Sequence, residues 1–333
     1  MGGDRAPQIV VEGADIVALE RDDIQFSFFG DKNKILPIIQ NCRNLKNRYS
    51  ITHTTEVVTA DEKPSNAIRR LQQSSMRLAI NSVKEKKNDV IVSAGNTGAL
   101  MAIAKIVLKP LESINRPAIV STIPNKTEKG TVVLDLGANI DCSAEILFQF
   151  AIMGHAYAKI VHSLENPKIG VLNVGSENQK GHETLQTVSE MLRNSHLSHD
   201  FYGFVEGDDI TKDTVDVIVT DGFTGNITLK AIEGSLKFIK ELIRQGFLTS
   251  IFSKIGYLFS GPALNKVTKN VDPRYHNGAM FVGLSEVVVK SHGSTDKIGF
   301  ANAIRVAISL IEKKINEKII EEIDSNNKNL ADV

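Results

Sequence analysis

The chain has 333 residues, of which 42% are hydrophobic and 23% are charged, a composition typical of a folded globular protein rather than a disordered one. Lys and Arg together number 39, as do Asp and Glu, so no overall charge favours a nucleic-acid partner. Two cysteines are too few for a disulfide framework or a cysteine zinc site, and the lack of a signal peptide or of a run of ~20 apolar residues predicts a cytoplasmic protein.

The beginning of the chain alternates between helical and extended patterns. Residues 1–7 are rich in turn formers, and Pro7 suits the first turn of the helix that follows. Ser65 is predicted as the N-cap of a second helix, which carries Arg69 and Arg70. Helices are predicted over residues 8–20, from residue 65 and over 76–86, and strands over residues 24–29 and, more weakly, 50–58.

Four segments then share one design, in which an apolar strand leads into a polar loop with glycine and a helix follows. They lie at residues 89–98, 131–139, 169–181 and 217–226. Strands alternating with helices predict an α/β protein with a mostly parallel sheet and helices on both faces. The carboxyl ends of parallel strands meet at one edge, so we expect the four loops to gather there around a ligand. A single such loop would be weak support, because βα turns often contain Gly and Asn for structural reasons.

The fourth loop, Asp-Gly-Phe-Thr-Gly-Asn at residues 221–226, is the strongest candidate for an anion site. Gly222 and Gly225 allow a sharp turn and a close approach of the backbone. Asn226 is predicted to stand at the start of the next helix, whose first N–H groups have no partner within the helix. The pattern therefore predicts binding of phosphate or of an acyl oxygen.

The next segments are helical and increasingly apolar. An amphipathic helix is predicted from residue 229, with an apolar stripe formed by Leu229, Ile232, Leu236, Ile239 and Ile243. Residues 244–270 predict a helical hairpin that contacts a membrane or acyl chains through Phe247, Leu248, Ile251, Phe252, Ile255, Leu258 and Phe259. The basic residues around it are Lys237, Lys240, Arg244, Lys254, Lys266 and Lys269. A basic amphipathic hairpin suits an anionic membrane surface, and a core or dimer helix is the alternative.

The remaining chain predicts apolar segments at residues 279–284 and 287–289 and a long helix over about 300–320. We expect one α/β catalytic domain over residues 1–323 and a frayed polar tail over 324–333.

Several motifs occur in one order along nearly the whole chain. They are Met-Gly-Gly-Asp at residue 1, Ser-Ala-Gly-Asn-Thr-Gly at 93, Leu-Asp-Leu-Gly-Ala-Asn at 134, Val-Gly-Ser-Glu-Asn-Gln-Lys-Gly at 174, Phe-Val-Glu-Gly-Asp-Asp at 204, Asp-Gly-Phe-Thr-Gly-Asn at 221 and Lys-Ser-His-Gly at 290. Together they resemble the PlsX family of bacterial phosphate acyltransferases.

The resemblance implies a three-layer fold similar to isocitrate and isopropylmalate dehydrogenases and to phosphotransacetylase. It implies a homodimer that makes acyl phosphate for phospholipid synthesis from acyl carrier protein thioesters and inorganic phosphate, with no cofactor or metal. It also implies peripheral association with membranes, and hence a membrane glycerol-3-phosphate acyltransferase as a partner that uses the acyl phosphate.

Two departures from the family pattern stand out. Family chains place a short strand before the Met-Gly-Gly-Asp loop, so we expect an upstream, in-frame start codon here. Asn-Gly-Ala-Met-Phe-Val-Gly at residues 277–283 stands where the family has Gly-Gly-Ala-Pro-Leu-Leu-Gly, which we expect to alter packing around the acyl chain.

The chemistry needs no covalent intermediate, because phosphate is itself a nucleophile that must be held in line with the thioester. Lys180 is the candidate cation, Asp221 a proton acceptor or an orienting group for Lys180, and Asn226 a hydrogen-bond donor. Asn96 and Asn226 are alternatively N-caps, and Asp221 a turn residue. Further candidates for phosphate or substrate binding are Gly95, Asn96, Thr97, Asn139, Gly222, Thr224, Gly225 and, as an acid for the leaving thiolate, His292.

Other kinds of site are disfavoured. His196 and His199 lie in a polar helix end that does not indicate a metal, and Cys142 has an apolar context that suggests burial. A Gly-x-Ser-x-Gly elbow is absent. Acyl carrier protein is acidic, so its candidate docking residues are Arg69, Arg70, Lys254, Lys266 and Lys269, which could also be ordinary surface charges.

Three alternative functions remain open from the sequence. A phosphotransacetylase that uses coenzyme A would share the chemistry. A decarboxylating dehydrogenase would need a metal, for which Asp208, Asp209 and Asp221 could supply carboxylates, but a Gly-x-Gly-x-x-Gly loop is missing. A non-catalytic membrane scaffold would need the hairpin but not Lys180.

Overall fold

The structure, a computed structural model, describes the backbone of residues 1–127 and 129–331, with their side chains except those of residues 262–271 and 326–331. The helices are α1 Gln8–Glu20, α2 Lys32–Gln40, α3 Pro64–Arg70, α4 Ser75–Lys84, α5 Thr97–Val107, α6 Ala144–Val161, α7 Glu183–Arg193, α8 Gly222–Leu248, α9 Ile251–Val271, α10 Lys297–Glu312 and α11 Ile315–Ala331. The strands are β1 Phe26–Gly30, β2 Tyr49–His53, β3 Val90–Ser93, β4 Ala118–Ile123, β5 Thr131–Leu134, β6 Ile169–Leu172, β7 Phe201–Val205, β8 Val217–Val219, β9 Ala279–Val282 and β10 Val287–Lys290. A 3-10 helix spans Gly207–Thr211.

The main sheet has the strand order β3-β10-β9-β4-β5-β8-β6-β7. Strands β5, β8, β6 and β7 are mutually parallel, and β3 is parallel to β10. Strands β4 and β9 separate these two parallel groups and pair antiparallel with each other and with their outer neighbours. The predicted mostly parallel α/β sheet is therefore confirmed, with two antiparallel strands in its middle.

Helices cover both faces of this sheet, because side chains alternate between the faces along each strand. On one face Val132 and Leu134 pack with α6, α7, α10 and α11. On the other, Val133 packs with a second core formed by α3, α4, α5 and the start of α8. Both sets are fully or nearly fully buried, which accounts for the continuous apolar runs of the central strands.

Strands β1 and β2 form a separate parallel pair. An apolar cavity of about 200 Å³ lies between β1 and β3, walled by side chains of α1, α4 and α10. Met1 contacts Gly30 at the end of β1, and Gly2 contacts Gly95 just beyond β3, so the first residues cross the ends of both strands. The strand expected before Met1 stays a prediction.

Three predicted helix boundaries are wrong. The N-cap of α3 is Lys63 rather than Ser65, since Pro64 occupies the first turn. Helix α8 begins at Gly222, four residues before Asn226, because Asp221 caps it. The predicted helix over residues 300–320 is interrupted at Lys314, whose φ of 57° lies in the left-handed region and separates α10 from α11.

The predicted segment 244–270 consists of the end of α8 and most of α9, with residues 249–250 between the two helices. The rings of Phe247 and Tyr257 meet edge to face with centroids 5.1 Å apart. In the described residues no helix is both long and apolar enough to span a membrane. The predicted tail is helical as far as Ala331. The side chains from residue 326 onward, and the whole of residues 332–333, lie outside the described part. The division into a domain and a tail stays a prediction.

Candidate functional site

The polar loops at the strand ends form two groups, and the strands that the two groups follow run in opposite directions. We call the loops after β5, β8 and β6, at residues 135–143, 220–221 and 173–182, the central loops. The N-terminal loops are residues 1–5, 94–96 after β3 and 291–295 after β10. Three antiparallel pairings lie between β3 and β5 along the sheet, so β3 and β10 run opposite to β5, β8 and β6.

The prediction that all four glycine loops gather at one edge is therefore wrong for the loop after β3. The loops after β5, β8 and β6 follow neighbouring parallel strands and do meet at one edge. Within the described ranges no hydrogen bond joins the central loops to the N-terminal loops. Lys180, Asp221, Asn226 and Asn139 consequently belong to one group, while Asn96 and His292 belong to the other.

Asp135, directly after β5, holds the central loops together. Its fully buried carboxylate accepts hydrogen bonds from the N–H groups of Gly137, Ala138 and Asn139 at 2.7–3.1 Å. It also accepts from Ile119 N at 2.9 Å and from Asn139 Nδ2 at 2.9 Å. Backbone donors around a buried carboxylate replace its hydration and fix the loop geometry.

The start of α8 packs directly on this loop. Gly222 N donates to Asn139 O at 2.7 Å, and a Cβ at Gly222 would lie 2.5 Å from that oxygen. A Cβ at Gly225 would collide with the carbonyl oxygen of Asp135. Both glycines are thus required by the close approach of two protein backbones, and their predicted approach to an anion stays a prediction.

Asp221 is a helix cap. Its Oδ1 accepts from Thr224 N at 2.9 Å and its Oδ2 from Thr224 Oγ1 at 2.7 Å. The N–H groups of Gly222, Thr224 and Gly225 are all used within the protein. In the described part of the chain, the backbone N–H of Phe223 in this first turn has no protein acceptor. The side-chain amide of Asn226, which is half-buried beside Gly137, also has no acceptor among the described residues.

Lys180 lies in the loop after β6, three residues before α7. Asn173 Nδ2 donates to Lys180 O at 2.9 Å, which closes this loop. The ammonium pairs with Glu177 Oε1 at 2.8 Å, and the side chain is 52% exposed. The Glu177 carboxylate raises the pKa of Lys180, with a smaller contribution from Glu206, so the amine stays protonated. The Lys180 ammonium is therefore a positive charge at the same edge of the sheet as the start of α8.

Cys142 is half-buried near the same loops, with its Sγ 3.8 Å from Asn139 O. Burial raises the pKa of the thiol to about 12, and the negative charges of Asp135 and Asp221 add to the effect. A thiol that stays protonated is a poor nucleophile, so Cys142 is unsuited to nucleophilic attack although it is only half-buried rather than buried as expected.

The N-terminal loops are tied to each other by backbone hydrogen bonds from Asp4 N to Gly293 O at 3.0 Å and from Ser291 N to Ser93 O at 2.9 Å. Asn96 is the N-cap of α5, accepting from Ala99 N at 2.9 Å, and its amide donates to the carbonyls of residues 59, 60 and 62. Its alternative role as a cap is therefore the one that the structure favours. Gly95 is buried, whereas Thr97 is exposed at the start of α5.

His292 is exposed, and its Nδ1 lies 3.0 Å from Ser294 Oγ. The preceding Lys290 is almost fully buried at the end of β10, where its ammonium donates to Ser291 O. Burial lowers the pKa of Lys290 to about 8. In the sequence, Asp135 and Lys290 are each a charged residue at the end of an apolar run, a pattern that indicates a buried charge. Neither was among the predicted site residues.

The described residues hold no cluster of His, Cys, Asp and Glu suited to a metal ion. His196 instead lies 3.3 Å from Glu322, which also pairs with Lys159 and approaches His155, so these side chains link α6 and the segment after α7 to α11. Burial opposes ionisation of Glu322, but the hydrogen bonds from His155, His196 and Lys159 outweigh it and hold the pKa of Glu322 well below its usual range.

The predicted membrane or acyl contacts lie away from these loops, at the far end of α8 and on α9. Phe252, Leu258 and Phe259 are 86%, 77% and 80% exposed, and Leu248, Ile251 and Ile255 are also exposed, whereas Phe247 is half-buried. Of the predicted docking residues, Arg69, Arg70 and Lys254 are exposed, and the side chains of Lys266 and Lys269 lie outside the described part.

Comparison with known proteins shows one consistent set of relatives. Residues 1–318 match the sequence model of a family described as "Fatty acid synthesis protein". The chain is 49% identical over 325 residues to a phosphate acyltransferase of Paramagnetospirillum magneticum, covering 97% of this chain and 92% of that one. It is 50% identical over 324 residues to a phosphate acyltransferase of Rhodospirillum centenum, covering 97% and 91%. Among solved structures it resembles a phosphotransacetylase from Streptococcus pyogenes, with a TM-score of 0.62, 16% identity and 92% of each chain covered, which supports the fold alone.

Proposed function

The chain belongs to the family of phosphate acyltransferases, and we propose that it transfers a long-chain fatty acyl group from acyl carrier protein to inorganic phosphate. Family membership gives acyl transfer to phosphate in fatty acid and phospholipid synthesis. The carrier-protein donor and the mechanism are the parts that we add. The observation that carries the mechanism is that β6 and β8 are adjacent parallel strands, so that the loop after β6 and the start of α8 lie at the same edge of the sheet.

In this proposal phosphate binds between Lys180 and the first turn of α8. The ammonium of Lys180, the N–H of Phe223 and the amide of Asn226 supply donors that the protein does not otherwise fully use. The partial positive charge of the helix start adds to their attraction for an anion. In this proposal the ammonium of Lys180 turns from Glu177 to phosphate, and Glu177 positions the ammonium at the edge of the sheet.

The reaction is a direct displacement. An oxygen of phosphate attacks the thioester carbon and gives a tetrahedral oxyanion, which collapses as the C–S bond breaks. The thiolate leaves and is protonated from solvent, to which Asp221 returns the proton that phosphate loses. Lys180 and the adjacent N–H donors stabilise the oxyanion that develops on the carbonyl oxygen. Asp221, held in place by Thr224, is the proposed acceptor of a phosphate proton. We assign no step to His292, because it lies on the N-terminal loops.

The donor can be identified by following phosphate-dependent loss of acyl thioester with the purified protein. We expect kcat/KM for palmitoyl acyl carrier protein to exceed that for palmitoyl and acetyl coenzyme A by about tenfold or more, because a protein donor adds a docking interface. A preference for acetyl coenzyme A would indicate a phosphotransacetylase. Absence of turnover with every donor would instead support the non-catalytic scaffold.

We further propose a peripheral membrane contact through α9 and the end of α8, where exposed apolar side chains lie beside Arg244 and Lys254. The same basic residues, with Arg69 and Arg70, fit docking of the acidic carrier protein. A homodimer and delivery of acyl phosphate to a membrane glycerol-3-phosphate acyltransferase complete the proposal, on the strength of the family resemblance.

Replacing Phe252 with aspartate should release the protein from vesicles that contain anionic lipid, because an 86% exposed aromatic ring is exchanged for a charge that such a surface repels. Cosedimentation measures the bound fraction, which we expect to fall about tenfold while turnover in detergent is retained. Leu19→Asp, at a 73% exposed apolar residue on α1, is the matched control. Equal partition of wild type and Phe252→Asp would exclude α9 as the membrane contact.

A further inference from the structure

Lys180 lies on an exposed loop whose main chain is fixed by the buried side chain of Asn173, the first residue after β6. The main-chain N–H of Asn173 donates to Val205 O at 2.8 Å, which ties the residue to β7. Its side chain then makes two hydrogen bonds inside the loop. Nδ2 donates to Lys180 O at 2.9 Å, and Oδ1 accepts from Val174 N at 2.8 Å. The main chain at Lys180 is thereby attached to the edge of the sheet.

The residue after Lys180 makes room for this contact. Gly181 has a φ of 89°, in the left-handed region, and a Cβ there would collide with the amide of Asn173. A side chain at this position would therefore be strained and would push Asn173 away from Lys180 O. The exposed part of the loop is also held from α7, because Arg193 donates to Asn178 Oδ1 at 2.8 Å. These contacts do not involve the side chain of Lys180, so they remain when that side chain is replaced.

The buried Gly175 lies directly against the side chain of Lys180. A Cβ at Gly175 would lie 2.5 Å from Lys180 Cδ, 3.0 Å from Lys180 Nζ and 2.7 Å from Glu177 Oε2. The glycine therefore leaves the space that the ion pair of Lys180 and Glu177 occupies. The atoms in the way are the ends of flexible, exposed side chains. An alanine at position 175 should consequently move the ammonium with little effect on the fold.

We propose that Asn173 and Gly175 are positioning residues for Lys180. Asn173 fixes its main chain, and Gly175 leaves room for its side chain at the edge of the sheet. Both act through the ammonium of Lys180 rather than on the substrates themselves. The inference rests on the proposed function and adds how the charge that receives phosphate is placed. Placement matters because an error of about 1 Å in a group that takes part in the reaction can lower the rate about a hundredfold.

Gly175→Ala tests the proposal, because the added methyl displaces the side chain of Lys180 and keeps the hydrogen bonds of the loop. With palmitoyl acyl carrier protein saturating and phosphate varied, we expect kcat/KM for phosphate to fall about tenfold or more. KM for the carrier-protein donor should stay within about twofold of the wild type, since the docking residues proposed for it lie on other elements. Gly207→Ala is the matched control: Gly207 is exposed just after the neighbouring strand β7, and a Cβ there would meet no atom within 4 Å.

Asn173→Asp is the second variant. Aspartate has the same shape and still accepts from Val174 N, but it cannot donate to Lys180 O. We expect the same selective loss for phosphate, and urea unfolding checks that the variant is folded. Each variant is then combined with Lys180→Ala. A residue that acts only through Lys180 should add less than about twofold to the loss in that background, whereas a residue that supports the fold adds its full effect.

The proposal fails if Gly175→Ala keeps the wild-type kcat/KM for phosphate, or if Gly207→Ala loses as much. It also fails if Gly175→Ala or Asn173→Asp causes a further loss of about tenfold in the Lys180→Ala background. An inactive wild type would overturn the proposed function, and near-normal turnover of Lys180→Ala would overturn its phosphate site. The inference would fall with either, and both results come from proteins in which residues 173 and 175 are unchanged.

Discussion

Replacing Asp135 with asparagine is expected to lower the free energy of unfolding by about 3–5 kcal/mol, because it removes a buried charge on which several N–H donors depend. The carboxylate is fully buried and accepts from Ile119 N as well as from the N–H groups of Gly137 and Asn139. An asparagine side chain has the same shape, but its Nδ2 would face donors instead of accepting from them.

Urea unfolding followed by circular dichroism measures this loss, and Asp141→Asn is the control, since Asp141 is exposed in the same loop. Because Gly222 N is bound to Asn139 O, we also expect the start of α8 to shift and acyl phosphate formation to fall. Stability within about 1 kcal/mol of the wild type would show that the loop does not depend on the carboxylate.

Local sequence patterns predicted much of this fold. Helix α1 has the predicted limits, and the apolar runs that became β5, β6 and β8 were recognised with the loops that follow them. These elements are set by neighbouring residues: side-chain periodicity, a proline in the first helical turn and a glycine at a close backbone approach. The motif order added the family, which no local pattern could supply.

The arrangement of the loops was not local and could not be predicted in the same way. Strand β4 was not predicted and β9 read as an ordinary apolar segment, yet their antiparallel insertion reverses the direction of β3 and β10 and removes Asn96 and His292 from the edge that carries Lys180. The role of Asp135 also depends on contacts that form only on folding, such as that with Ile119 sixteen residues earlier. Its position directly after the apolar run at residues 132–134 was the one available signal.

Lys180→Ala is expected to lower kcat/KM for acyl phosphate formation by about a hundredfold or more, the usual effect of removing a group that stabilises a developing oxyanion. The side chain is half exposed and its ion pair with Glu177 is at the surface, so the fold should be unaffected. Circular dichroism and urea unfolding of the variant should therefore match the wild type.

Lys212→Ala is the matched control, since Lys212 is 54% exposed and pairs with Asp208 in a similar surface ion pair. Glu177→Gln tests whether the ammonium of Lys180 moves from Glu177 to phosphate. Removing the competing carboxylate should then lower KM for phosphate or leave it unchanged, and kcat should persist. Near-normal turnover of Lys180→Ala would remove Lys180 from the site. A fall in turnover shared by Lys212→Ala would instead show a general effect of surface charge on the acidic carrier protein, so the comparison of these two lysines decides where phosphate binds.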